Sequence, residues 1–126
     1  MTGLDAAAAL EAGAPGVVVS NHGGRQLDGV RSSIAALEPV VSAVAGRGVV
    51  LLDSGIRRGS DVVKAIALGA DAVLIGRLSA YGIAAAGEEG AYQVLDLLRQ
   101  EIETVLVLLG RGGITDIDRS AVEWES

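Results

Sequence analysis

Apolar positions along the chain alternate between two spacings, and each spacing predicts a different element. Leu4 to Ala12 is an Ala-rich stretch that reads as a helix, with Thr2 and Asp5 as a capping pair at its start and Gly13 as its stop. Gly16 to Ser20 is too short for a helix and rich in β-branched residues, which predicts a buried strand. Ile34, Leu37, Val40, Val41 and Val44 recur at intervals of three and four, the period of a helix that Ser32 or Ser33 can cap and that ends near Gly46. Val49 to Leu52 predicts a second strand, Ser60 to Leu68 a helix capped by Ser60 and stopped by Gly69, and Ala72 to Ile75 a third strand. From about Glu89, residues Val94, Leu95, Leu98, Ile102, Val105 and Leu109 keep helical spacing over a long amphipathic segment.

An internal echo links the first and third strands. Gly13-Ala14-Pro15-Gly16-Val17-Val18-Val19-Ser20 aligns with Gly69-Ala70-Asp71-Ala72-Val73-Leu74-Ile75-Gly76, each copy a helix stop followed by a buried strand. Repeated helix-strand units with short turns predict an α/β fold with parallel strands, either a doubly wound sheet or part of a β/α barrel. Both architectures put their active sites at the C-terminal ends of the strands. At 126 residues the chain is one domain by length, about half of a complete eight-stranded barrel. The β/α units occupy residues 1–110 and a polar tail residues 111–126.

Composition narrows the picture. Half the residues are hydrophobic but only 2% are aromatic, so the core must be built from Ala, Val, Leu and Ile, which suits a parallel sheet covered by helices. The net charge of −6, with no basic face or stacking aromatics, argues against nucleic acid as a partner. The absence of cysteine excludes disulfides, thiol nucleophiles and thiolate metal sites. No apolar run approaches a membrane span and no charged-then-apolar leader opens the chain, so a cytoplasmic location is the default expectation.

Polar chemistry collects after each predicted strand. The single histidine lies in Ser20-Asn21-His22-Gly23-Gly24-Arg25-Gln26-Leu27-Asp28, directly after the first strand. His22 is a candidate general base, the glycines let backbone approach a ligand, and the planar fork of Arg25 suits a carboxylate. The plainer alternatives are a solvated histidine, a turn with positive φ, and a surface ion pair between Arg25 and Asp28. After the second strand, Asp53-Ser54-Gly55-Ile56-Arg57-Arg58-Gly59 suits a phosphate cradle of backbone amides, a helix N-terminus and an arginine; the alternative is ordinary turn chemistry with Asp53 accepting from amides. Gly76 and Arg77 follow the third strand and read either as a second phosphate contact or as a tight turn with a surface arginine.

Taken in order and spacing, Ser20 to Asp28, Asp53 to Gly59, Asp61 to Ala70 and Ile75-Gly76-Arg77 resemble the C-terminal part of the FMN-dependent α-hydroxy-acid oxidases and dehydrogenases, over nearly the whole chain from Thr2 to about Gly110. This family includes glycolate oxidase, lactate oxidase and monooxygenase, mandelate dehydrogenase and flavocytochrome-type lactate dehydrogenase. The resemblance implies the last three β/α units of a TIM (β/α)8 barrel with a long C-terminal helix, and FMN as cofactor. It implies that His22 takes a proton from a small L-2-hydroxy acid as two electrons pass to the flavin, and that Arg25 clamps the substrate carboxylate. Ser20 is implied to contact the flavin ring. Asp53, Ser54, Gly55, Ile56 and Arg57 would lie along the ribityl chain and phosphate, with Gly76 and Arg77 as the second phosphate contact. The family usually has Gly where this chain has Ser54, and commonly Pro where it has Leu78. Its essential lysine, pocket tyrosines and histidine-orienting aspartate would fall before Met1.

A three-stranded piece of a barrel has two open edges and a bare apolar face, which predicts self-association or partnership with a chain carrying the N-terminal barrel half. Three functions follow as expectations: an FMN-dependent 2-hydroxy-acid oxidoreductase portion inactive alone, a phosphate- or FMN-binding half-barrel without catalysis, and a self-associating structural fragment. A different phosphate-binding barrel enzyme is the runner-up family, and it is not expected to carry the Ser20 to Asp28 string.

Overall fold

Three short β-branched runs line up in chain order as a parallel sheet in the computed structural model, which describes residues 2–123. The elements are α1 (Gly3–Glu11), β1 (Gly16–Val19), α2 (Ser33–Val44), β2 (Val49–Asp53), α3 (Gly59–Ala67), β3 (Ala72–Leu74) and α4 (Arg77–Leu108), with 3-10 turns at His22–Gly24, Ile114–Asp116 and Arg119–Ala121. Gly16 pairs with Val49, Val18 with Leu51, Leu51 with Ala72 and Asp53 with Leu74. This register brings the ends of all three strands, and the loops that follow them, to one rim.

The alternation of side chains gives the sheet two unlike faces. Val19, Val50 and Leu52 point to the helical side, where they join Leu37, Val40 and Val44 of α2 in the buried core. On the opposite face Val18, Val49 and Leu74 are 39%, 49% and 42% exposed. β1 and β3 are both edges of the described sheet. The bare face and open edges anticipated from the sequence are therefore present.

The echoed glycines serve one purpose in both copies. Gly13 and Gly69 adopt φ of 95° and 97°, a left-handed stop that turns the chain from helix into strand without a Cβ clash. At α1 the Thr2 and Asp5 capping box forms as expected, with Thr2 N donating to Asp5 Oδ2 at 2.8 Å and Asp5 N to Thr2 Oγ1 at 3.3 Å.

Two caps differ from expectation. Ser32 stands at the N-cap of α2 without a side-chain bond, and the neighbouring Ser33 hydroxyl accepts Asn21 N at 3.0 Å and so serves the β1 loop. The N-cap of α3 is Arg58, and Asp61 rather than Ser60 accepts the amides of Arg57 and Arg58, both at 2.9 Å. A carboxylate one turn in reaches amides that a hydroxyl at Ser60 does not face.

The last helix begins earlier than its apolar spacing suggested. α4 starts at Arg77 and breaks at Ala86 and Gly87, where φ is −151° and 61°. Gly82 and Gly90 lie against each other across the break, and a Cβ on either would meet the other's carbonyl oxygen at 2.4 Å or 1.9 Å. The second stretch packs on α3 through Ile102, Val105 and Leu106, and Leu98 is buried, whereas Leu95 and Leu109 of the expected apolar face are 56% and 41% exposed. Residues after the helix fold back, with Ile117 buried against Val63 and Ala67 and Arg119 paired to Glu38 of α2 at 2.6 Å.

Candidate active site

At the C-terminal rim, strand ends and loops converge on a small hydrogen-bonded floor. Ser20 follows β1 and Asp53 ends β2, one register step beyond the Val19–Leu52 pair, so both point to the bare side of the sheet. The Ser20 hydroxyl donates to Asp53 Oδ2, and the Ser54 hydroxyl donates to the same oxygen at 2.9 Å. These bonds hold the Asp53 carboxyl below its usual value: the Ser20 hydroxyl contributes most, burial opposes it, and Ser54 and the charge of His22 add smaller lowering effects.

Each of the two hydroxyls also takes an amide from the histidine loop. His22 N donates to Ser20 Oγ at 3.1 Å, and Gly23 N is shared between Asn21 Oδ1 at 2.9 Å and Ser54 Oγ at 3.3 Å. The loop coils tightly, with His22, Gly23 and Gly24 at φ of 54°, 66° and 72°. The positive φ anticipated for the glycines is found, and it extends to the histidine itself. The alternative pairing of Arg25 with Asp28 does not occur among the described ion pairs; Asp28 Oδ1 accepts Gly29 N instead.

Above this floor opens a cleft of about 650 Å³. His22, Gly23 and Arg25 line it from the β1 loop, Ser54 to Arg57 from the β2 loop, and Gly76 and Arg77 from the start of α4. Of the site residues that the family resemblance implies, Ser20 and Asp53 lie outside its lining, as the floor that holds the loop; Gly24, Arg58 and Gly59 of the two motifs lie outside it as well. Leu74, Leu78 and Tyr81 also line it and were not anticipated. Tyr81 follows Arg77 by one helical turn, a signal that was hidden because the helix was placed to begin ten or so residues later. A second cavity of about 590 Å³ adjoins it through Ser54, Gly55, Ile56 and Arg77, and brings in Lys64 and Asp61 of α3.

The anion-binding part of the cleft differs in one respect from expectation. At the N-terminus of α3 acidic side chains already take amides, Asp61 those of Arg57 and Arg58 and Glu101 that of Gly59 at 2.7 Å. The Gly59 amide, followed by Arg58, keeps the Glu101 carboxyl below its usual value. The start of α4, by contrast, has no side-chain cap: Gly76 stands at its N-cap, and Gly76, Arg77 and Leu78 line the cleft. Helix dipole and free amides thus favour an anion at α4 rather than α3. Among the described residues, Arg25, Arg57 and Arg77 make no ion pair, so three unpaired arginines line one cleft in a chain of net charge −6.

The sequence profile of FMN-dependent dehydrogenases matches residues 1–124. The chain belongs to this FMN-dependent dehydrogenase family. Over its full length it is 54% identical to a peroxisomal (S)-2-hydroxyacid oxidase of Arabidopsis thaliana, of which it spans 35%, and over 95% of its length it is 52% identical to an L-lactate oxidase of Nostoc sp., of which it spans 33%. Among solved structures, a mandelate oxidase mutant with a monooxide FMN adduct superposes with a TM-score of 0.87 at 50% identity, covering 91% of this chain and 37% of that one. A monotopic membrane (S)-mandelate dehydrogenase superposes with a TM-score of 0.94 at 46% identity, covering 98% and 33%. The chain therefore spans about a third of the length of these relatives. Its three β/α units are a C-terminal part of the TIM barrel of the FMN-dependent dehydrogenases. Among the described residues no helix is long and apolar enough to cross a membrane.

Proposed function

We propose that the chain supplies the histidine base, the carboxylate clamp and the cofactor-phosphate end of an FMN-dependent oxidoreductase acting on a small L-2-hydroxy acid, of lactate, glycolate or mandelate type. One observation carries this reading: His22 shares a single cleft with three unpaired arginines at the C-terminal rim of a barrel sheet. The residues fit the cofactor. Its phosphate matches the uncapped start of α4, with Gly76 and the guanidinium groups of Arg57 and Arg77 beside it, the place where loops after the last barrel strands and an extra helix bind phosphate. Gly55, at φ 89° with no heavy atom within 4 Å of where its Cβ would be, leaves open backbone for the ribityl chain beside Asp53, Ser54 and Ile56, with Ser20 at the ring end.

FMN, when bound, supplies the acceptor for two electrons. The chain's own residues do the rest. Arg25 holds the substrate carboxylate with two parallel N–H donors, which fixes the hydroxyl-bearing carbon beside the imidazole. A ring nitrogen of His22 accepts the proton that leaves the 2-hydroxy acid as it becomes the 2-keto acid.

Exposure argues for a second, weaker state of the isolated chain. His22 is exposed and the inner sheet face is bare, so water is not excluded from the site. The isolated chain then acts as a phosphate- or FMN-binding half-barrel with little or no turnover, and gains activity when β1 and β3 acquire the strands that close the barrel. Titrating FMN into the purified chain and following its fluorescence, then adding L-lactate, glycolate or mandelate and watching the flavin absorbance bleach, tests both parts. Bound flavin that stays oxidised supports the half-barrel state. No saturable FMN binding at micromolar concentrations refutes the proposed function.

A further inference from the structure

Only three described non-glycine residues have positive φ, and two of them, His22 at 54° and Ser54 at 77°, line the same cleft. Such a conformation is costly for a residue with a Cβ and persists only where other contacts hold it. For Ser54 those contacts are on its own hydroxyl, which donates to Asp53 Oδ2 at 2.9 Å and accepts Gly23 N at 3.3 Å. It also stands 3.5 Å from the hydroxyl of Ser20.

We propose that Ser54 is a positioning residue for His22: its hydroxyl ties the left-handed coil of the histidine loop to the Asp53 carboxylate, and so sets the direction of the imidazole. This deepens the proposed function and rests on it for the role of His22. The geometry it invokes does not. Asp53 accepts from two hydroxyls, and each of these accepts one of two successive loop amides, Ser20 that of His22 and Ser54 that of Gly23. The two relays tie the loop after β1 to the end of β2. Without the Ser54 hydroxyl, Gly23 N keeps Asn21 Oδ1, a bond internal to the loop that does not anchor it to the sheet.

The test compares the full chain with Ser54→Ala, which keeps the Cβ and removes the hydroxyl, and Ser54→Gly, which removes both and suits the left-handed backbone, so that it folds even if the alanine variant does not. NMR hydrogen exchange at Gly23 and the backbone coupling constant of His22 are read in each, with core amides at Val50 and Leu52 as controls. The expected result is Gly23 exchange faster by about twofold to threefold in both variants, the low end of the worth of one hydrogen bond because the arm to Asn21 remains, with a His22 coupling averaged away from its left-handed value and the core amides unchanged. Oxalate, added as a probe for the Arg25 end, then perturbs the His22 imidazole less in the variants, while inorganic phosphate perturbs Arg77 equally in all three. Unchanged Gly23 exchange and His22 coupling in both variants overturn the inference. If the backbone changes appear but oxalate perturbs His22 in none of the proteins, Ser54 still positions the loop and it is the proposed 2-hydroxy-acid function that fails.

Discussion

Replacing Gly59 by alanine sets two physical expectations against each other. Helix propensity alone favours alanine by about 1 kcal/mol in a helix interior. Gly59, however, is buried where α3 meets α4, and an alanine Cβ would stand 2.4 Å from Ile102 N and 2.6 Å from the carbonyl carbon and Cβ of Glu101. The nearest atom is backbone, so α4 must retreat by about 1 Å, the gap between 2.4 Å and the 3.4 Å at which contact becomes ordinary. That retreat also stretches two bonds of 2.7 Å, from Gly59 N and from Arg58 Nη1, to the Glu101 carboxylate. Overpacking of this kind costs about 1–3 kcal/mol, and a hydrogen bond to a charged group about 1.5–3 kcal/mol, so the net expectation is a loss of about 2 kcal/mol. Urea unfolding should show a lowered midpoint at unchanged slope, and thermal unfolding a Tm lower by about 8 °C for a domain of this size. Ser60→Ala, one residue on, is the control and should stay within about 0.5 kcal/mol. A Gly59→Ala chain as stable as the parent, or more stable, would refute the close approach of α3 and α4.

Three other outcomes are expected. Because hydroxyl bonds from Ser20 and Ser54 lower the Asp53 carboxyl, its stabilisation of the histidine loop is fully present above the ordinary value of 3.8 and is lost as pH falls through the lower folded value. Protection of the His22 and Gly23 amides, taken relative to their intrinsic exchange rate at each pH, should fall only in that acidic window, and Asp53→Asn should remove the dependence; a loss of protection between pH 5 and 7 would contradict it. Arg77→Gln and Arg57→Gln should each weaken FMN or inorganic phosphate binding by about tenfold or more, with a shallower salt dependence, as measured by calorimetry, whereas Arg111→Gln, paired to Asp118 away from the cleft, should not. Val18, Val49 and Leu74 on a bare sheet face should drive self-association or capture of a chain carrying the N-terminal barrel half, and a strictly monomeric species in sedimentation that stays monomeric with that partner would count against it.

Local signals were legible wherever a single spacing or a single residue type carries the information. The β-branched runs became β1, β2 and β3, the Thr2–Asp5 pair closed a capping box, and Gly13 and Gly69 made the same left-handed stop. The cleft residues His22, Arg25, Arg57 and Arg77 were found by their position after strands, because a parallel sheet delivers all its strand ends to one rim. Less legible was anything decided by a partner distant in sequence. Ser60 looked like a cap, but Asp61 and Glu101 take the amides of α3. The early start of α4 was not legible in the apolar spacing from Val94 to Leu109, because its first stretch meets the second through the close approach of Gly82 and Gly90.

By itself the sequence determined the order and type of the elements, the family motifs and the set of charged groups delivered to the rim, since these depend on periodicity and on residues a few positions apart. The tertiary structure decided which of several hydroxyls, amides and carboxylates pair. It gave the α3 terminus to acidic side chains and left the α4 terminus without a side-chain cap. It placed Ser20 and Asp53 beneath the cleft, and it bound Ser54 to a loop that lies 31 residues away along the chain. Those choices turn on distances of a few tenths of an ångström between segments brought together only by packing, which no local pattern encodes.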